Sequence, residues 1–375
     1  QGFEEEITGN IPEDELSRLE REYKKTIATG DNFSLYKTIA LQLIRAYAVR
    51  REIMKMEQVI NALLMKINNS SDYDETVLAV IEVLTDNYLN DLAIKYFEKT
   101  ENRIQDKKVK PSLYNTIGTV FKLKGFYDVA LYYFQNAYNM FKESGNKSGE
   151  GAALNNLSLI YKAQGDYKLA LKYLEQNLIL YKNIGDRNRE GGTLNNIGQI
   201  FHALGEYEIA IKYLERSLHI SQEIGDKPSE GTTLNNLSQI YRVMGDSETA
   251  LKYLRNSLMI WKEIGDKASE GITLNNLAAI YFNQEDYNSA IKYFNQSYKI
   301  RDAIGDIYGM ANTLFNLAMV YFDPKVNQPE KVNQPEKGKE LLLQVEKINK
   351  TLKNAEIEKA LKGAYKKYDI KHSNK

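Results

Sequence analysis

The chain has 375 residues, 43% of them hydrophobic, with 50 basic and 50 acidic side chains and a formal net charge of zero. That balance argues against a dedicated nucleic-acid binder, whose footprint is an excess of lysine and arginine. The absence of cysteine removes disulfides, thiolate zinc sites and cysteine nucleophiles together, and it fits a reducing compartment.

The start, Gln1-Gly2-Phe3-Glu4-Glu5-Glu6, lacks the basic and apolar pattern of a signal segment, and no apolar run approaches the roughly 18 residues needed to span a bilayer. Membrane insertion is therefore not expected, and a cytoplasmic protein is the default. A beginning without methionine fits a processed form or a fragment. Residues 1–33 form an acidic segment with room for a helix. Residues 34–110 read as two degenerate helix pairs, over 34–67 and 75–105; Ala93-Ile94-Lys95-Tyr96-Phe97 echoes Ala290-Ile291-Lys292-Tyr293-Phe294.

A regular array follows over 111–322. Gly185-Asp186, Gly225-Asp226, Gly265-Asp266 and Gly305-Asp306 sit forty residues apart, and so do Asn155-Asn156, Asn195-Asn196, Asn235-Asn236 and Asn275-Asn276. Self-similarity at this period marks stacked repeats, in which neighbours complete a core that no unit can bury alone. Within one period, Leu154, Leu157, Ser158, Ile160 and Tyr161 share a helical face. Gly165 suits a C-cap and Asp166 an N-cap for a second helix carrying Ala170, Tyr173, Leu174 and Leu178. Each period thus predicts two antiparallel helices. Small residues recur at Gly118, Ser158, Gly198, Ser238, Ala278 and Ala318, and again at Ala130, Ala170, Ala210, Ala250 and Ala290. These columns mark where the helices cross. The aromatic column Phe121, Tyr161, Phe201, Tyr241, Tyr281 and Tyr321 reads as core.

In the last repeat, a duplicated hexapeptide (Val326 to Lys331, Val332 to Lys337) replaces the tight turn, giving an exposed Pro-containing loop over 323–337. Residues 338–375 predict closing helices, at about 338–349 and 355–368, and a lysine-rich tail whose charge suits a solubilising cap.

Leucine, then leucine or isoleucine, a small residue, an aromatic and later alanine, in a two-helix unit, resembles the tetratricopeptide repeat. The forty-residue spacing and the runs Thr233 to Leu237 and Thr273 to Leu277 are similar to the longer-repeat subclass of kinesin light chains and LGN/Pins adaptors. The resemblance implies an all-α, right-handed superhelix (an α-solenoid) of antiparallel helix pairs with a C-terminal capping helix. Two departures concern packing: the usual proline ending the second helix is missing, and Asn177 stands where a small residue is normal.

Catalytic signatures are absent, so no enzyme is expected. His202, His219 and His372 belong to no two-histidine metal motif, glycines are spaced by the repeat rather than clustered around a phosphate, and no cofactor or metal is implied. Asp166, Asp186, Asp226, Asp246, Asp266 and Asp286 occupy cap positions, which accounts for them without acid–base chemistry. The informative residues are polar positions on each first helix, which in the family lines the concave surface. One column holds Asn115, Asn155, Asn195, Asn235 and Asn275. Four residues on stand Thr119, Leu159, Gln199, Gln239 and Ala279, then Lys122, Lys162, His202, Arg242 and Phe282. The resemblance implies peptide contact for the second asparagine column, Asn156, Asn196, Asn236, Asn276 and Asn316. An asparagine amide offers a peptide backbone both donor and acceptor, or it bonds a neighbouring helix and fixes the repeat geometry. The basic strip favours an acidic segment. The family's carboxylate-clamp pattern is not met, because leucine, glutamine or glycine stand at several of its basic positions.

These residues describe a scaffold that binds an extended, acidic segment of another protein in its groove. Two further readings stay open: a peptide- or ligand-sensing subunit controlling an effector, and a self-assembly module, although nothing specific indicates a homo-oligomer. An acidic terminal strand holding Glu4, Glu5, Glu6, Glu13, Asp14 and Glu15 is positioned to fold back into a basic groove.

Overall fold

The computed structural model of the chain describes residues 13–29, 32–68, 70–323, 335–368 and 370. Among them are eighteen α-helices and no strand, arranged as two compact units, Gln1–Thr193 and Leu194–Lys375. The architecture is all-α, a solenoid of helix pairs. Glu4 to Glu6, most of the duplicated loop (324–334), His372 and the end of the lysine-rich tail lie outside the described residues.

The first unit holds α1 (Glu13–Thr29), α2 (Phe33–Val49), α3 (Ile53–Lys66), α4 (Tyr73–Asp86) and α5 (Asn90–Thr100), then a 3-10 turn (Glu101–Arg103). It continues with α6 (Val109–Leu123), α7 (Tyr127–Glu143), α8 (Lys147–Ala163) and α9 (Tyr167–Ile184). The unit boundary falls inside α10 (Arg187–Ala203). The second unit holds α11 (Tyr207–Ile224), α12 (Lys227–Val243), α13 (Ser247–Ile264), α14 (Lys267–Asn283), α15 (Tyr287–Ala303), α16 (Ile307–Phe322), α17 (Pro335–Leu352) and α18 (Ala355–Lys367). Consecutive helices pack on one another: α6 with α7 and α8 with α9 in the first unit, and α12 with α13, α14 with α15 and α16 with α17 in the second. The acidic start is not an extended strand throughout. Glu13, Asp14 and Glu15 make the first turn of α1, where the helix dipole favours carboxylates, and Glu13 pairs with Arg50 at the end of α2.

Backbone geometry explains the regular turns. Gly125, Gly165, Gly205 and Gly245 each end a first helix with φ between 78° and 86°. Asp186 N–H then donates to the Tyr181 carbonyl at 3.0 Å and Gly185 N–H to Lys182 at 3.2 Å, closing the second helix. Each cap aspartate accepts the backbone N–H three residues on: Leu169 for Asp166, Ser229 for Asp226, Thr249 for Asp246, at 3.0–3.1 Å. Glu285 stands in the glycine position at φ 63°, a left-handed backbone that a side chain disfavours.

The helices meet where the small columns lie. Ala130, Ala170, Ala210, Ala250 and Ala290 are fully buried. A Cβ on Gly118 would stand 2.8 Å from the Phe134 ring, and one on Gly198 would stand 2.7 Å from Leu214. A second small column makes room for the far end of the other helix: Cβ atoms on Gly151 and Gly231 would fall 2.3 Å and 2.6 Å from Tyr181 and Trp261. The aromatic column expected in the core sits higher. Phe121, Tyr161, Phe201, Tyr241 and Tyr281 are half-buried and pair face to face or slightly tilted with Tyr133, Tyr173, Tyr213, Tyr253 and Tyr293, centroids 5.4–5.6 Å apart. The interior is filled by leucines and isoleucines together with aromatics of other positions, such as Phe134, Trp261 and Phe294; only Tyr321 of the aromatic column is buried.

One charged column is buried. Glu150, Glu190, Glu230 and Glu270 are each under 9% exposed, in the first turn or so of a helix, and take Lys147, Arg187, Lys227 and Lys267 as partners at 2.7–2.9 Å. The helix N-terminus and the cation together offset the loss of water around each carboxylate. In α16 the glutamate gives way to Met310, and Arg301 is buried instead, held by Asp306 at 2.7 Å.

Asn177 is fully buried, and neither amide atom makes a well-formed hydrogen bond. Its counterparts Ser257 and Ser297 donate to the Gly231 and Gly271 carbonyls at 2.9 and 2.7 Å. Asn177→Ser is expected to raise stability by about 1 kcal/mol, because it removes an unsatisfied buried amide; a thermal midpoint at or below wild type would refute this. Acid acts in the opposite sense. The Thr249 backbone N–H holds the Asp246 carboxyl below the usual range, the Tyr47 hydroxyl does so for Glu20, and Lys37 does so for Asp72. Groups with a depressed folded pKa stabilise above their unfolded pKa and lose that contribution as pH falls. The melting midpoint should therefore be flat near neutrality and decline below about pH 4, as followed by circular dichroism.

Candidate functional site

Helical periodicity leaves one stripe of each first helix half-exposed. In α8 the apolar residues Ala153, Leu154, Leu157 and Ile160 are buried, so Ala152, Asn155, Asn156, Leu159 and Lys162 take the remaining face. The same positions are half-buried in the other first helices. They comprise Asn115 and Lys122 on α6, Asn195, Asn196, Gln199 and His202 on α10, and Asn235, Asn236, Gln239 and Arg242 on α12. Asn275 and Asn276 on α14 and Asn316 on α16 complete the set. The structure thus places all sixteen of these sequence-selected polar residues on equivalent faces, each within its own unit.

The two asparagine columns are joined to each other. In the first unit, Asn156 Nδ2 donates to Asn115 Oδ1 at 2.9 Å. In the second, Asn236 donates to Asn195 at 2.8 Å and Asn316 to Asn275 at 3.3 Å. The second asparagine of one repeat thus grips the first asparagine of the preceding repeat, a cross-link between successive first helices. Asn235 departs from this scheme and donates to Thr273 Oγ1 at 2.8 Å.

Charge is distributed unevenly. In the first unit, burial alone pushes the Lys122 and Lys162 ammonium groups below the usual lysine range. In the second, Arg242 Nε donates to Gln239 Oε1 at 3.1 Å, and the His202 ring lies 5.9 Å from Tyr207. Among the described residues neither Lys122 nor Arg242 has an ion-pair partner, whereas Lys147, Lys227 and Lys267 each have one. Such an arrangement can hold backbone amides and carboxylates; it brings together no nucleophile and base.

Sequence reasoning followed the second asparagine column to Asn316 but the basic column only as far as Phe282. Beyond it the stripe continues through half-buried Phe315 and Met319 on α16, and Ile272, 47% exposed, opens it on α14. The forty-residue register applied once more to Asn275 and Ala279 would have found Phe315 and Met319; Ile272 lies in a column the sequence reading did not follow. Asn236→Ala is expected to cost roughly 1 kcal/mol by removing an inter-repeat hydrogen bond, and Asn276→Ala to be near neutral because it removes none. Equal losses in urea melts would show that the cross-links carry no stability.

The tetratricopeptide repeat family model matches residues 110–183, 189–263, 230–303 and 269–325. Among curated proteins none matches the sequence. Several solved structures share the fold at low identity. A signal transduction ATPase (STAND) protein with a tetratricopeptide repeat sensor, from Pyrococcus horikoshii, is 16% identical with a TM-score of 0.62, covering 93% of this chain and 55% of its own. Aspartyl phosphate phosphatase F from Bacillus subtilis is 16% identical with a TM-score of 0.60, covering 92% of this chain and 96% of its own. The apo form of the quorum sensor NprR from B. thuringiensis is 15% identical with a TM-score of 0.55, covering 86% and 96%. With its family model matched over more than half its length and the helix pairs in place, the chain belongs to the tetratricopeptide repeat family.

Proposed function

We propose that this protein is a non-enzymatic interaction scaffold that binds an extended segment of a partner protein along the first-helix faces of its repeats, with a preference for acidic segments. The observation that carries the reading is the half-exposed stripe itself, where amides and cations stand in register and where, among the described residues, Lys122 and Arg242 have no ion-pair partner. Lys122 and Lys162 supply the cations in the first unit; Arg242, beside Gln239, does so in the second. A carboxylate arriving at a half-buried ammonium restores the interaction that burial removed, through a charge-assisted hydrogen bond. No cofactor enters the reading.

A second reading, a peptide- or ligand-sensing regulatory subunit, is supported by the likeness of fold to the quorum sensor NprR and to a protein carrying a tetratricopeptide repeat sensor. It differs in requiring a change of shape on binding, visible as compaction in solution scattering when peptide is added.

Selection of a random peptide display library against the full chain tests the scaffold. Enriched peptides should be acidic, should bind more weakly as salt rises, and should lose about tenfold or more in affinity to Lys122→Gln/Lys162→Gln or to Arg242→Gln, a change of roughly 1.4 kcal/mol. Lys292→Gln, on the exposed side of a second helix, should bind as wild type. No enrichment, or enriched peptides indifferent to all the stripe substitutions, would remove the proposal.

A further inference from the structure

The asparagine cross-links of the second unit have one open rung. Asn236 holds Asn195 and Asn316 holds Asn275, yet Asn276 has no hydrogen-bond partner among the described residues, because Asn235 has turned to Thr273. Thr273 Oγ1 donates its own proton to the Ser269 carbonyl at 2.9 Å, so toward Asn235 it can only accept. That fixes the Asn235 amide with Nδ2 on Thr273 and leaves its Oδ1 buried and without a partner. At this rung, therefore, the Asn276 amide is not committed to the architecture.

The stripe changes chemistry at the same place. On the α12 side stand Gln239 and Arg242, whose Nε is used by Gln239 while the two terminal nitrogens have no partner among the described residues. On the α14 side stand Ile272, Ala279 and Phe282, the last set edge-on against Tyr287 with centroids 6.0 Å apart. Phe315 and Met319 of α16 extend the apolar part. Cation and apolar surface thus flank a single spare amide, all within Leu194–Lys375.

We infer that this open rung is the specificity point of the second unit, taking a peptide segment in which a carboxylate side chain and a large apolar side chain lie on either side of one backbone amide. The inference rests on the peptide-binding reading above. Asn276 donates to and accepts from the backbone of the segment, Arg242 takes the carboxylate with its two terminal nitrogens, and the Phe282 surface covers the apolar side chain. Because cation and apolar surface stand on opposite sides of the rung, the acid and the apolar residue must come in one order along the segment. The closed rungs at Asn236 and Asn316 take no part in selection.

The test uses the full chain and fluorescein-labelled synthetic peptides holding one Asp and one Phe, in both orders and with spacers of varied length, together with Asn-for-Asp and Ala-for-Phe versions. One order should bind about tenfold tighter than the other or more. Asn276→Ala, confirmed folded by its melting curve, should weaken that peptide by about tenfold. Arg242→Gln should erase the preference for Asp over Asn, and Phe282→Ala the preference for Phe over Ala. Equal binding of both orders, or wild-type affinity in Asn276→Ala while Arg242→Gln still weakens binding, would overturn the inference and leave the scaffold reading standing. Failure of every peptide to bind would overturn both.

Discussion

At each crossing inside a repeat, a helix backbone rather than a side chain faces its neighbour. The alanines from Ala130 to Ala290 have no exposed surface, and the glycines at 118 and 198 leave no space for a methyl group. A larger residue in either column would part the helices, and the leucines and isoleucines packed beside the crossing would then lose dispersion contacts over their whole length. The stacked tyrosine pairs, the buried glutamates and the asparagine cross-links all hang on that separation. In a linear stack each repeat has only its neighbours to cover it, so the constraint recurs at every period rather than at one centre.

Charge is used at the seams in a way that hydrophobicity alone does not require. Glu150, Glu190, Glu230 and Glu270 lie buried at helix N-termini with a cation three residues earlier, each on the same turn. The carboxylate is held by that cation and by the partial positive charge of the helix end together. The α16 end differs: Met310 takes the glutamate position, and Arg301, in the column of Tyr181 and Trp261, is buried with the cap aspartate Asp306 as counter-ion.

The first-helix stripe shows one residue type serving two ends. An asparagine that reaches the preceding repeat ties two helices together and has less to offer a ligand; one left out of the tie keeps a complete donor and acceptor set. At one rung Asn235 donates to Thr273 and Asn276 is left spare, although the equivalent threonines Thr233 and Thr313 accompany closed ties at Asn236 and Asn316. The stripe also runs from amides and a guanidinium to phenylalanine and methionine within one unit, so its ends present different chemistry to a bound segment.

The amino-acid sequence by itself determined the repeat, its two helices, its turns and its crossing columns. These follow from properties that act within a few residues: glycine accepts a left-handed backbone at Gly165 and Gly205, aspartate caps at Asp166 and Asp246, and alanine lets a helix approach. Self-similarity then placed the polar stripe, since whatever is not buried in one repeat is not buried in the next. Tertiary structure alone decided that the aromatic column sits at half depth, paired with tyrosines of the following helix, that four glutamates are buried, and which asparagines are tied. Those outcomes depend on ångström-scale placement, and the last on placement between residues about forty positions apart: Asn276 and Asn236 have identical neighbours in sequence, Leu-Asn before and Leu after, yet of the two only Asn236 finds a partner among the described residues. A hydrogen bond forms or fails within a few tenths of an ångström, a tolerance finer than any pattern of residue types can carry.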